Sequence, residues 1–266
     1  MADRRATYTR RVAIIDLNAD VGEECGDDAA LLTLVTTANI AAGGHAGGGE
    51  VLTATVALAV DADVAVGAHP SYPDRPGFGR VSRLTDHDPR SLTTTVREQI
   101  LAVAAACDAH GVALTHVKAH GALYHDLVAH PEASMAFLQA VADACVDAGT
   151  SIAVLGPPAP SIERDVGAAG LHYLIEAFAD RRYREDGTLV PRTEVGAVLV
   201  DSREVVDQAL TLARDQRVRS RDGAWLRIDA ASICLHGDTP DAVALAAAVR
   251  GALEADGIRI EHPSRP

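Results

Sequence analysis

Residues 115–124 read THVKAHGALY, and they hold the only lysine of the chain, Lys118. The 24 lysines and arginines are 23 arginines and this one ammonium. Lysine is a compact charge whose pKa moves readily on burial, whereas arginine is a fixed planar cation. His116 and His120 flank it two residues away on either side, so on a strand all three share a face. Gly121 then suits a strand leaving its sheet for a loop. The stretch reads as a buried strand whose last residues carry titratable groups.

Working outward, the same pattern recurs. Apolar, β-branched runs at 12–15, 38–42, 64–68, 114–119, 151–155, 172–177 and 231–235 read as strands. Helical spacing occupies 27–37, 50–60, 90–110, 131–148, 161–169, 201–216 and 239–256. Asp222-Gly223 marks a small hairpin, and 257–261 a last short strand. Strand, loop and helix in repetition predict a parallel sheet with helices outside. Polar residues stand at or just past the strand ends: Asp16, His45, His69, His120, Glu176 and His236. In an open sheet only ends near a switch point would meet; in a closed barrel all of them face one mouth. The distribution favours a single seven-stranded β/α barrel over residues 12–262. Residues 1–11 are basic and polar, lack the apolar run of a signal peptide, and read as a disordered tail.

Composition excludes several functions. Apolar residues make up 48% of the 266, but aromatics only 3%, which leaves little for base stacking. A net charge of −13 opposes nucleic acid and anionic membranes. No uncharged apolar run reaches membrane-spanning length. Cys25, Cys107, Cys145 and Cys234 lie far apart with no CxxC pair, and read as reduced thiols of a cytoplasmic protein.

The candidate chemistry lies at the strand ends. Asp16, Asn18 and Asp20 alternate, so they share a face if the first strand continues. That is costly in a core unless the groups bind something; a turn cluster is the alternative. Gly43, Gly44 and Gly47 surround His45 just before a helix, an arrangement that suits an anion cradle. It is not a Walker A loop, since no GxxxxGK[ST] occurs. No GxSxG elbow and no GxGxxG after the first strand are present. His45, His69, His120 and His236, with Asp238 beside the last, suit general acid–base work. With the carboxylates they also suit a divalent ion, but no HxxxH or HExxH spacing occurs, so no tightly bound metal is expected in this chain. His87, His110, His125, His130 and His262 read as surface or loop residues. Two long loops, 71–89 and 179–196, flank the mouth; the second carries Arg181 and Tyr183, candidates for substrate contact.

These residues carry a resemblance. IDLNADVGEECGDDAALL at 15–32, ANIAAGGHAG at 38–47, GAHPSYPDRPGFGR at 67–80 and HVKAHGALY at 116–124 resemble the LamB/YcsF family, the A component of 5-oxoprolinase. FADRRYREDGTLVPR at 178–192, GAV at 196–198 and ICLHGDTP at 233–240 continue the match in order. The family usually has Cys-Gly-Phe-His-Ala-Gly-Asp where this chain has Ala42 to Gly48, and Lys-Pro-His where it has Lys118-Ala119-His120. An obligatory thiol at position 42 is thereby disfavoured. The resemblance implies a barrel similar to glycoside hydrolase/deacetylase barrels. It implies ATP-dependent opening of 5-oxoproline to L-glutamate with partner subunits B and C, ATP and magnesium being used by the complex. Two other readings stay open: a metal-dependent deacetylase-like hydrolase, and a non-catalytic scaffold within the complex.

Overall fold

The computed structural model describes residues 13–239 and 241–263, so the tail expected at 1–11 lies outside the described residues. In chain order the elements are β1 (Ile14–Val21), α1 (Asp28–Leu32), β2 (Thr37–Ala41), α2 (Gly49–Asp61), β3 (Ala65–His69), α3 (Pro89–Ala109), β4 (Leu114–Lys118), α4 (Gly121–Ala129), α5 (Pro131–Ala148), β5 (Ala153–Gly156), α6 (Pro160–Ala168), β6 (Tyr173–Phe178), α7 (Ser202–Asp215), β7 (Arg217–Arg219), β8 (Trp225–Arg227), β9 (Ser232–His236), α8 (Ala242–Ala255) and β10 (Arg259–Ile260). Strands β1 to β6 pair in order, β6 pairs with β9, and β9 returns to β1, all in parallel. This is the closed seven-stranded barrel that the sequence predicts. β10 extends the start of β1, and β7–β8 form a separate antiparallel hairpin.

Alternation along each strand divides the interior in two. Ile15, Leu17, Ala19 and Val21 on β1 face outward into the layer packed by the helices. Asp16, Asn18 and Asp20 face the lumen, because β1 does continue through them. The apolar part of the lumen is small: Ala153, Leu155 and Leu174 with Ala231 against them. The rest is filled by polar side chains bonded to one another. Gly67 makes room for one of them, since a Cβ there would collide with the His116 ring at Nε2.

Three local expectations fail. The helix expected at 27–37 ends at Leu32. Thr36 and Thr37 leave it because their hydroxyls bond Asp16 Oδ1, each at 2.6 Å, which ties this segment to β1. Gly121 does not enter a loop but begins α4, with His120 as its N-cap residue. His262, read as a surface residue, is buried. No helix among the described residues is long and apolar enough to cross a membrane.

Candidate active site

At the C-terminal end of the barrel a cavity of about 370 Å³ opens between the two long loops. Its floor is Asp20, Lys118 and His69, and its rim includes Arg80, Arg181 and Arg192. The expectation that the two loops flank the mouth is met: Phe78 and Arg80 come from the first, and Arg181 and Arg192 from the second.

Lys118 sits beneath this cavity, fully inside the barrel. Its Nζ donates to Asp20 Oδ1 at 2.8 Å and lies 2.8 Å from Glu176 Oε1 as a close ion pair. Asn18 Oδ1 at 3.4 Å and Cys234 Sγ at 3.2 Å complete its surroundings. Burial disfavours the ammonium, but Asp20 and the other acidic neighbours outweigh it and hold the Lys118 pKa well above its usual value. Asn39 links this layer sideways, donating to Asn18 Oδ1 and Asp20 Oδ1, while its own Oδ1 meets His116 Nε2.

Beside the ammonium is a group of four that the strand pattern alone did not assemble. His45 Nε2 is 3.0 Å from Glu23 Oε1, and His120 Nδ1 is 3.3 Å from the same oxygen. His69 Nε2 lies 3.0 Å from His120 Nδ1 and 3.3 Å from Asp20 Oδ2. The rings of His45 and His120 stack, with centroids 3.5 Å apart. Burial raises the Glu23 carboxyl, but the adjoining His120 and His45 rings more than offset this and hold it well below the usual carboxylate range. Burial also disfavours the Asp20 carboxylate, and His69 with Lys118 reverse that strongly. His45 is pushed down to about 4 by burial, so at neutral pH its ring is uncharged.

The third feature is a carboxylate–histidine pair. His236 Nδ1 lies 2.9 Å from both oxygens of Asp180, and the His236 backbone N–H also donates to Asp180 Oδ2. Burial works against the Asp180 charge, but His236 prevails and holds its pKa at about 2. With Nδ1–H given to Asp180, Nε2 is left as the proton acceptor of this ring, in a residue that lines the cavity.

Asp238 lies on the rim, where Arg80 Nη2 reaches it at 2.5 Å and Arg192 Nη1 at 3.2 Å. Arg181 is buried beside them and donates to the Val190 carbonyl, while its Nε has no partner among the described residues. Burial pulls the Arg181 pKa down to about 10.

Thus Asp20, His45, His69, Lys118, His120, His236, Asp238 and Arg181 converge on one site. Other candidates lie elsewhere. Asp16 is at the closed end of the lumen, bonded to Thr36, Thr37 and Ser232. Asn18 and Glu176 are buried around Lys118 and do not line the cavity. The Tyr183 hydroxyl accepts from the Phe178 backbone N–H and braces the end of β6. Gly43, Gly44 and Gly47 do not line the cavity either. The amides of Gly43 and Gly47 are already bonded to Ala46 O and Glu24 Oε2, and Arg75 covers the Gly47 carbonyl at 2.8 Å. The loop carries His45 inward to Glu23. Gly47, at φ +62°, cannot take a side chain, because a Cβ would meet the Gly22 carbonyl at 2.5 Å.

Sequence reading passed over Glu23 and Asp180 as site residues. Glu23 follows Gly22 at φ +72°, a turn that ends strand alternation. Asp180 stands two residues past the end of β6, in a loop read only for its charge.

The sequence matches the LamB/YcsF family over residues 15–266. Among solved structures, a lactam utilization protein from Thermus thermophilus is 35% identical, with a TM-score of 0.84, and the match covers 93% of this chain and 99% of that one. A family 4 carbohydrate esterase from Streptomyces lividans is 13% identical at a TM-score of 0.47, over 93% of this chain and 91% of that one. An N-acetyl-β-hexosaminidase from Streptomyces plicatus gives the same identity and TM-score over 96% and 71%. Likeness at that level carries nothing about this chain. The match over nearly the whole length and the 35% identity to the Thermus protein decide the matter: the chain belongs to the LamB/YcsF family.

Proposed function

We propose that this chain opens the ring of 5-oxoproline to L-glutamate, as the A component of an ATP-dependent 5-oxoprolinase with partner subunits B and C. The observation that carries the reading is one cavity lined both by arginines at its rim and by His236, which Asp180 holds. The substrate is a small anion with a lactam. Arg181, whose Nε is unpartnered, and Arg192 suit its carboxylate or a phosphoryl group attached to it. His236, held by Asp180, suits proton transfer.

A lactam is a poor electrophile, and phosphorylation of its oxygen activates it. Water then adds at the carbonyl carbon and loses a proton to a base. The C–N bond breaks as the ring nitrogen gains a proton from an acid, and the resulting acyl phosphate is hydrolysed to glutamate. In this reading His236 Nε2 takes the proton from water, and the Lys118 charge stabilises negative charge developing above it. No Walker A loop is present in the sequence, and Lys118 sits on a strand between two carboxylates. The phosphorylating step therefore belongs to the partners, and the activated lactam is handed to this barrel.

The test is reconstitution. The three subunits with 5-oxoproline, ATP and magnesium should form glutamate, and omission of this chain or of ATP should stop it. ATP-dependent glutamate formation by this chain alone would move phosphoryl transfer here. Full activity of the two partners without it would end the assignment.

A further inference from the structure

The cluster beside Lys118 has a hydrogen-bonding problem that its own residues do not solve. His69 Nδ1 lies 2.8 Å from the Lys118 carbonyl oxygen, and His120 Nε2 lies 3.0 Å from the Phe78 carbonyl oxygen. A carbonyl only accepts, so each of those nitrogens must carry its ring's proton. In neutral rings the other two nitrogens, His69 Nε2 and His120 Nδ1, are then bare lone pairs. They lie 3.0 Å apart. Two carboxylate acceptors stand against them: Asp20 Oδ2 at 3.3 Å from His69 Nε2, and Glu23 Oε1 at 3.3 Å from His120 Nδ1 and 4.0 Å from His69 Nε2, while the nearby His45 Nε2 is taken up by Glu23 Oε1. Four electron-rich atoms thus converge in a buried space. Such a set calls for positive charge among its atoms, carried by a metal ion or by protons.

We propose that Asp20, Glu23, His69 and His120 bind one divalent transition-metal ion, with His45 holding Glu23 in place.

Three observations fit this occupant. A tetrahedral ion with bonds of about 2.0–2.1 Å sets its donors about 3.3 Å apart; His120 Nδ1, Asp20 Oδ2 and Glu23 Oε1 lie 3.0, 3.3 and 4.0 Å from His69 Nε2, and Glu23 Oε1 lies 3.3 Å from His120 Nδ1. Metal-bound imidazoles nearly always give the opposite N–H to a carbonyl or carboxylate, which fixes the tautomer; His69 and His120 both do so. His45 Nε2, 3.0 Å from Glu23 Oε1, is positioned to donate to that carboxylate and orient it. Mixed imidazole and carboxylate donors suit zinc, iron, cobalt or manganese better than magnesium or calcium. The absence of local ligand spacing, on which the expectation of no metal rested, has no force here, because the ligands come from β1 and the turn after it, β3, and the start of α4.

The rival occupant is protons, with both rings as imidazolium beside the two carboxylates. Chelator-treated protein titrated with Zn²⁺ or Co²⁺ at neutral pH decides between them. The expected result is uptake of one ion per chain. Co²⁺ should give the visible absorption of a low-coordinate nitrogen and oxygen site, and zinc should raise the melting temperature. His69→Gln and His120→Gln should each weaken binding at least about a hundredfold, while His110→Gln on the surface should not. If the ligand variants fail to fold, ¹⁵N imidazole spectra of the intact chain give the same answer: His69 protonated at Nδ1 and His120 at Nε2, with the opposite nitrogens shifting on zinc addition. No stoichiometric uptake of either ion by folded protein, or two fully protonated rings at neutral pH unaffected by zinc, would overturn the proposal. Neither result bears on whether 5-oxoproline is the substrate.

Discussion

Asp16 and Asp20 stand on the same face of the same strand, with Asn18 between them, and the fold treats them in opposite ways. Asp16 is at the closed end of the lumen among hydroxyls: Thr36 and Thr37, each at 2.6 Å, and Ser232. No cation among the described residues answers it there, and burial pushes its pKa up to about 6. Asp20, at the cavity floor, meets Lys118 at 2.8 Å and His69 at 3.3 Å, and is held far below the usual range despite its burial. One carboxylate closes a hydrogen-bonded plug. The other is kept ionised for use. Burial alone does not separate a functional carboxylate from a structural one; the charge of its neighbours does.

The sharpest way to break this contrast is Asp20→Ala. It leaves the Lys118 ammonium with Glu176 alone and removes a carboxylate from the His69 cluster. Loss of one partner of a buried pair costs about 3–5 kcal/mol. Turnover by the reconstituted system should fall at least as far as for loss of a general acid or base, about 10²–10⁴-fold. Denaturant unfolding and glutamate formation are the measurements. Near-normal values of both would erase the distinction from Asp16.

His236→Gln tests the opposite combination, a large rate effect with little stability effect. Its ring is partly exposed, at 13%, and Asp180 and Phe178 hold it. The rate should drop about 10²–10⁴-fold, with a melting-temperature loss smaller than that of Asp20→Ala, because the glutamine amide still donates to Asp180. A large melting shift with a small rate change would make it a packing residue. Lys118→Arg follows. A planar guanidinium does not fit the space of a compact ammonium between Asp20 and Glu176. Retention of more than about a tenth of the rate, a deficit under roughly 1.4 kcal/mol, would remove the special role of Lys118.

The barrel was legible because its evidence is periodic. Seven apolar runs with helices between them leave few topologies, and the run at 131–148 matches α5 residue for residue. The convergence of His69, His120, Lys118 and His236 followed from closing the sheet. What failed to show was whatever depends on a turn. Glu23 becomes a site residue only because Gly22 redirects the chain, and its neighbour Glu24 stays exposed. α4 begins on a glycine and is capped by a catalytic candidate, which hides a helix start behind loop-like composition. Asp16 and Asp20 are indistinguishable in sequence, since the lysine that separates them lies 98 residues from Asp20.

The smallest expected effect on activity is that of Asp16→Asn, and it tests the quiet half of the contrast. Asp16 touches no cavity atom, so turnover should stay within about threefold of wild type, under roughly 0.7 kcal/mol in the barrier. Its signature is in the pH dependence of stability. The folded pKa of Asp16 is about 6 against 3.8 for the free side chain, so the native state binds this proton more tightly than the unfolded chain. The contribution to stability is fully present below about pH 4, declines as pH rises through the window from about 4 to 6, and is gone above it. At 1.36 kcal/mol per pH unit the amount involved is about 3 kcal/mol. Asp20, Glu23 and Asp180 run the other way, losing stability as pH falls, so the total curve does not isolate Asp16. The difference between wild type and Asp16→Asn does. Asparagine cannot titrate and offers one acceptor oxygen to three hydroxyls, so the variant should be the less stable protein at pH 4. The gap should then narrow as the pH is raised to 6.5. A gap that is constant across this window, or that widens with pH, would mean that Asp16 is ionised in the native state and that some cation reaches the closed end of the barrel after all.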